Sequence, residues 1–222
     1  VNSIKGVGAS AAAITVNNSD GTCTANITNR SNRNKIINGA MTVHQRSSSV
    51  TGITSNGYQT ADRMLLNVST GTFTNTISTD TPDGFGSSFK IDCTTADTSL
   101  SAGDNVLFKQ RIEGQNLQDF AKGTSAAKQF AVSFYVKTNK SGVYTVELSD
   151  IDNTRIATKT FTVSDSNWNR YTLIFPADTT GAFDNDNAVS LDLIIWLAAG
   201  TTFTSGTLNT SSWASKTNAN RV

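Results

Sequence analysis

Phe130-Ala131-Val132-Ser133-Phe134-Tyr135-Val136-Lys137 alternates large apolar residues with smaller or polar ones. A period of two belongs to a β-strand with one buried face. Phe130, Val132, Phe134 and Val136 then point to a core, and Ser133, Tyr135 and Lys137 point away from it. Residues 189–197 repeat the pattern. Val189, Leu191, Leu193, Ile195 and Leu197 fall on the expected core face, with Ser190, Asp192, Ile194 and Trp196 opposite. Further runs with strand character lie at 64–68, 73–77, 89–93, 106–112, 143–149, 158–163 and 170–175. Polar turn-formers separate several of them, as at Lys140-Ser141-Gly142, Asp150-Ile151-Asp152-Asn153 and Asp184-Asn185-Asp186-Asn187. Many short strands joined by polar turns predict an all-β antiparallel sandwich or barrel. One helical exception, a turn or two, is expected at 117–121.

Composition agrees. The 222 residues include 33 Thr, 25 Ser and 22 Asn, strand and turn formers that disfavour a helical bundle. Lys+Arg 18 against Asp+Glu 17 leaves a net charge of +1, which excludes a phosphate-gripping nucleic-acid binder with a broadly basic surface. No apolar run reaches the length of a membrane-spanning helix, so no membrane insertion is expected. Cys23 and Cys93 are expected to be free thiols. One histidine, His44, and two unclustered cysteines do not make a zinc site.

The first part of the chain differs from the rest. Residues 1–33 hold short β-like runs, 11–16 and 23–28, with few large apolar side chains. Such a segment needs copies of itself or a neighbouring domain to stay ordered. It is expected to be an N-terminal shaft or connector, with a polar linker at 29–34, and residues 34–222 to be the sandwich.

Catalytic signatures are sparse. There is no Gly-x-Ser-x-Gly elbow beside His44 and no phosphate-binding loop. The two glutamates are Glu113 and Glu147, and Glu147 with Asp192 is the carboxylate pair to inspect for glycoside hydrolysis. No enzyme activity is expected. Asp184 and Asp186, like Asp150 and Asp152, stand in acidic turns that are weak Ca²⁺ candidates; hairpin chemistry explains them without a metal, and no cofactor is expected. The aromatic residues carry more. Tyr135 and Trp196 each sit beside polar groups on a non-core strand face. Three roles fit them: a sugar platform, on which rings stack and polar groups bond hydroxyls; a subunit interface; or a layer covered by the chain itself. Tyr135, Asp192, Trp196 and Trp213 form the candidate glycan set. Trp168 is expected in the core.

Several blocks in order extend this reading: 34–46 (NKIINGAMTVHQR), 58–63 (YQTADR), 110–114 (QRIEG), 132–137 (VSFYVK) and 168–171 (WNRY). Together they resemble the carbohydrate-binding-module-like jelly-roll domain of tail fibres and other appendages of marine and cyanobacterial phages. The resemblance spans most of the chain. It implies a jelly-roll β-sandwich behind a β-rich fibre shaft, in a virion tail-fibre homotrimer. It also implies contact with other phage tail proteins and attachment to host cell-surface polysaccharide. A glycan-binding module of a secreted protein and a polysaccharide depolymerase are the alternatives. Met64 and Tyr135 stand where relatives often carry Trp, and the family's last strand, after the Trp213 region, is missing. That loss is expected to leave a sheet edge open or completed by another chain.

Overall fold

In a computed structural model the described residues are 34–222 and, before them, 3, 4, 7, 12, 14–16, 19 and 23–25. The chain divides into two compact units, 1–35 and 36–222. In the first, β1 (Ser3–Ile4), β2 (Ile14–Val16) and β3 (Cys23–Ala25) form an antiparallel sheet in that order. The expected linker, Asn34 aside, lies outside the described residues.

The second unit is an antiparallel β-sandwich. Its strands are β4 (Ser49–Ile53), β5 (Met64–Val68), β6 (Thr72–Ser78), β7 (Ser88–Thr95), β8 (Asn105–Glu113) and β9 (Phe130–Val136). They continue with β10 (Gly142–Asp150), β11 (Arg155–Val163), β12 (Asn169–Phe175), β13 (Val189–Ala199) and β14 (Ala214–Ser215). One layer is a six-stranded sheet of order β14-β11-β10-β13-β8-β5. The other consists of two smaller sheets, β9 with β12 and β4-β6-β7. Short 3₁₀ turns occupy Gly114–Asn116 and Gln118–Phe120, where a helical turn is expected, and one helical turn, α1, spans Thr201–Thr204.

Alternation places the core. Val132, Phe134, Tyr171, Leu173 and Phe175 from β9 and β12 meet Val146, Leu148, Phe161, Leu191 and Leu193 of the large sheet. A second cluster joins Ile53 and Phe73 of the three-stranded sheet to Leu66, Val68 and Val106 of β5 and β8. Each fully buried Leu or Phe contributes about 1.5–3 kcal/mol relative to exposure.

Two expectations are corrected, and one of three open alternatives is selected. Leu197 is 37% exposed, because a bulge between Trp196 and Ala198 shifts the register against β8 and turns the side chain off the core face. The opposite face of β13 is not open: residues 201–222 fold over it, and Ile194 and Trp196 pack with Leu107, Phe203 and Val222. Finally, the edge of β11 is partly covered, since β14 pairs with Arg155 and Ile156.

Candidate functional site

The antiparallel register of β9 and β12 sets the geometry of an exposed face. Tyr135 lies opposite Arg170, Ser133 opposite Thr172, and Ala131 opposite Ile174. Their neighbours Phe134 and Tyr171 point inward to the core. Outward residues two apart on a strand are about 7 Å apart, so this strip runs about 20 Å from Lys137 to Ala131. Thr172 and Ser133 hydroxyls are linked at 3.3 Å.

The loop between β6 and β7 reaches onto this face. Phe85, 41% exposed, meets Tyr135, 39% exposed, edge-on, with ring centroids 5.6 Å apart and planes at 62°. Asp80 ties the loop down. Its carboxylate accepts from Lys137 Nζ at 2.6 Å and from the Trp168 indole N–H at 2.9 Å. These two hydrogen bonds, Lys137 foremost, hold the Asp80 carboxyl below its usual range. A pair of exposed rings, framed by hydroxyls, a fixed carboxylate and cations, is what a sugar surface offers. Gly84, at φ +85°, has the left-handed backbone that turns the loop toward Phe85 without a side-chain penalty.

Of the four expected glycan residues, the structure leaves Tyr135 on this face. The other three are elsewhere. Trp196 is 3% exposed: its ring stacks under Arg221 at 4.8 Å, and its indole N–H donates to Glu147 Oε2 at 3.1 Å. Asp192 is buried and paired with Lys109 at 3.1 Å. Trp213 is buried against Phe130, its N–H on the Pro176 carbonyl. Sequence alternation put Tyr135 on an outward face and left the back of β13 open between a sugar platform, an interface and a layer covered by the chain; the structure shows the last, and nothing local says that Phe203, Arg221 and Val222 are what covers it. Trp168 is a correction in the other direction. It is partly exposed and serves the Asp80 clamp, not the core. Phe85 sits in a loop without strand periodicity, and its signal is simply an aromatic residue between two glycines.

The carboxylate pair Glu147 and Asp192 is not poised for hydrolysis. Glu147 has no exposed surface and receives both Arg221 Nε at 2.9 Å and Nη2 at 2.7 Å. Two sealed, ion-paired carboxylates leave no room for a sugar or a water between them.

The acidic turns divide similarly. Asp184 and Asp186 shape their loop through backbone contacts: the Asp184 N–H donates to Asp152, and Asp186 Oδ1 accepts the Ala188 N–H. Asp150 does more than close its turn, where it accepts the Asn153 N–H at 3.0 Å. It is buried, and Lys122 Nζ lies 2.5 Å from its Oδ2. The same ammonium reaches Asp178 Oδ2 at 3.1 Å and the carbonyls of Thr180 at 3.0 Å and Gly181 at 2.7 Å. Gly181, at φ +72°, is required there, since a Cβ would stand 2.4 Å from Asn153. Arg155 forks onto Asp178 at 2.8 and 3.0 Å. Among the described residues no group of three or more His, Cys, Asp or Glu stands together for a metal. Cys93 is free and exposed, and the side chain of Cys23 lies outside the described residues.

This network has a pH signature. Burial opposes charge on Asp178, but Arg155, the Thr180 N–H and Lys122 overcome it and hold the carboxyl below its usual value of 3.8. A depressed carboxyl stabilises the fold above the unfolded pKa and loses that contribution as pH falls through the folded one. The melting temperature is therefore expected to be flat near neutrality and to fall below about pH 4. Asp178→Asn should flatten the acid limb while lowering the neutral plateau. An unchanged limb in that variant, measured by calorimetry across pH, would assign acid sensitivity elsewhere.

No family model matches the chain, and neither a curated protein nor a solved structure does.

Proposed function

We propose that this chain is a non-enzymatic virion appendage protein, a segment of a phage tail fibre, which attaches to host cells through surface polysaccharide. The β9–β12 face is the attachment surface. The observation that carries this reading is the exposed Phe85–Tyr135 pair above a ladder of hydroxyl and charged side chains. Two partly exposed rings held side by side next to a clamped loop support a stacking surface. In this reading the sandwich has the jelly-roll connections of the phage domains that the sequence resembles. Residues 1–33 form a β shaft that associates as a homotrimer and joins other tail proteins. Three copies per fibre convert weak single-site binding into avidity.

The test uses the full chain on an array of bacterial surface polysaccharides, beside Tyr135→Ala and Phe85→Ala. Both residues lie outside the core clusters, so the variants should fold. Saturable binding that weakens at least about tenfold in each variant supports the reading, as expected for losing one stacked ring. Binding equally strong in both variants would move the site off this face. No binding by any form would make the chain a structural fibre segment. Light scattering on the same sample reads the trimer.

A further inference from the structure

Arg170 distinguishes what kind of sugar this face takes. It lies directly across from Tyr135 on the same exposed face. Among the described residues it makes no ion pair and no side-chain hydrogen bond. The neighbouring carboxylates are already used. Asp80 is held by Lys137 and Trp168, and Asp165 accepts from the Asn167 backbone and the Asn169 amide at 2.8 Å each. Lys90 also acts on Asp80 electrostatically. Lys137 and Lys90 thus act on Asp80, Arg170 adds a further cation across from Tyr135, and Asp83 and Asp165 are exposed acids in the adjoining loops, in a chain whose net charge is only +1. The donor left without a protein partner on this face is the planar Arg170 guanidinium, across from the Tyr135 ring.

We infer that the β9–β12 face takes a uronate-bearing polysaccharide, the sugar ring stacking on Tyr135 and its carboxylate pairing with Arg170. This deepens the glycan-binding reading above and rests on it. A guanidinium matches a carboxylate with two parallel N–H···O bonds, a geometry that an ammonium cannot supply. Neutral sugars would use the rings and hydroxyls but leave Arg170 unpaired.

The probes are polygalacturonate, its fully methyl-esterified form and dextran sulfate, titrated calorimetrically into the full chain, Arg170→Gln and Tyr135→Ala. The ester keeps the sugar backbone and removes the charge. Polygalacturonate is expected to bind about tenfold tighter than the ester. Arg170→Gln should bring the acid down to the ester's affinity and leave the ester unchanged, whereas Tyr135→Ala should weaken both. Equal binding of acid and ester, unaffected by Arg170→Gln, overturns the inference; sensitivity to Tyr135→Ala would then still uphold the glycan face. Dextran sulfate matching polygalacturonate overturns the carboxylate assignment in favour of unspecific charge. Failure of every probe to bind overturns the uronate inference, and the glycan reading falls with it only if the polysaccharide array is blank as well.

Discussion

Lys122→Met is expected to lower the unfolding free energy by about 3–5 kcal/mol, the cost of stranding a buried charge. The ammonium has no exposed side-chain surface and is surrounded by oxygens of Asp150, Asp178, Thr180 and Gly181. Phe183 and Trp213 close over it, each ring centroid 5.2 Å from Nζ. Removing the cation does not affect the two carboxylates equally. Asp178 keeps the Arg155 fork, while Asp150 keeps the Asn153 amide and backbone N–H but no positive charge. The penalty therefore resides mainly at Asp150. In a chain of this size the melting temperature should fall by on the order of 10 °C. Lys122→Met combined with Asp150→Asn should recover a large part of the loss, since both charges then leave together. Additive losses in the double variant, by urea denaturation, would show that the cage stabilises through packing and that charge pairing is incidental.

The same region shows how far local pattern reaches. Alternation in 130–136 and 189–195 correctly sorted Phe130, Phe134, Leu191 and Leu193 onto buried faces, because one sheet face meets another sheet and the period of two is dictated by the backbone. Nine of the strands from β5 to β13 coincide with runs that alternation or apolar content marks. β4 (SVTGI) and the two-residue β14 lack such a signal and form through their partners. What local pattern cannot contain is the return of the chain. Lys122, Asp150 and Asp178 are separated by 28 residues in each interval and meet only because the 3₁₀ region and the loop after β12 converge at the end of the β10–β11 hairpin. Asp150 read alone is a hairpin acid. Likewise Tyr135 was legible as an outward ring, but Phe85 and Asp80 arrive from a loop about fifty residues earlier in the chain. The polar back of β13 is the clearest case. Ser190, Asp192 and Trp196 carry the signature of a wet face, yet all three are buried: Ser190 lies against Gly114, Asp192 pairs with Lys109, and a C-terminal segment bringing Phe203, Arg221 and Val222 covers Trp196.

Arg221 is the charged clasp on the last residues of that segment, and its replacement has the second large expected effect. The guanidinium delivers two hydrogen bonds to Glu147, which is fully buried, and lies over Trp196 at 4.8 Å and Phe203 at 5.7 Å. Lys216, tied to Ser149 Oγ at 3.3 Å, is the segment's other cation on this face, and burial followed by repulsion from Arg221 lowers its pKa. Lys216 therefore gains little as a substitute partner for Glu147. Arg221→Ala leaves a buried carboxylate with the Trp196 N–H alone, and about 3–5 kcal/mol of local stability should be lost. The loss should localise, because the main core between the large sheet and β9–β12 does not include Arg221. Residues 216–222 should then open while β14 and the Trp213 anchor keep their places in the sandwich, a sub-global unfolding. Trypsin at native conditions should cleave the variant after Lys216 well before any strand is cut, whereas the parent chain resists there. Glu147→Gln together with Arg221→Met should restore much of that resistance, since a neutral amide can keep the Trp196 hydrogen bond and the methionine can fill the space between the two rings. Cleavage at Lys216 at the same rate in the parent and in Arg221→Ala would refute the clasp and reduce the Glu147–Arg221 pair to a passive contact.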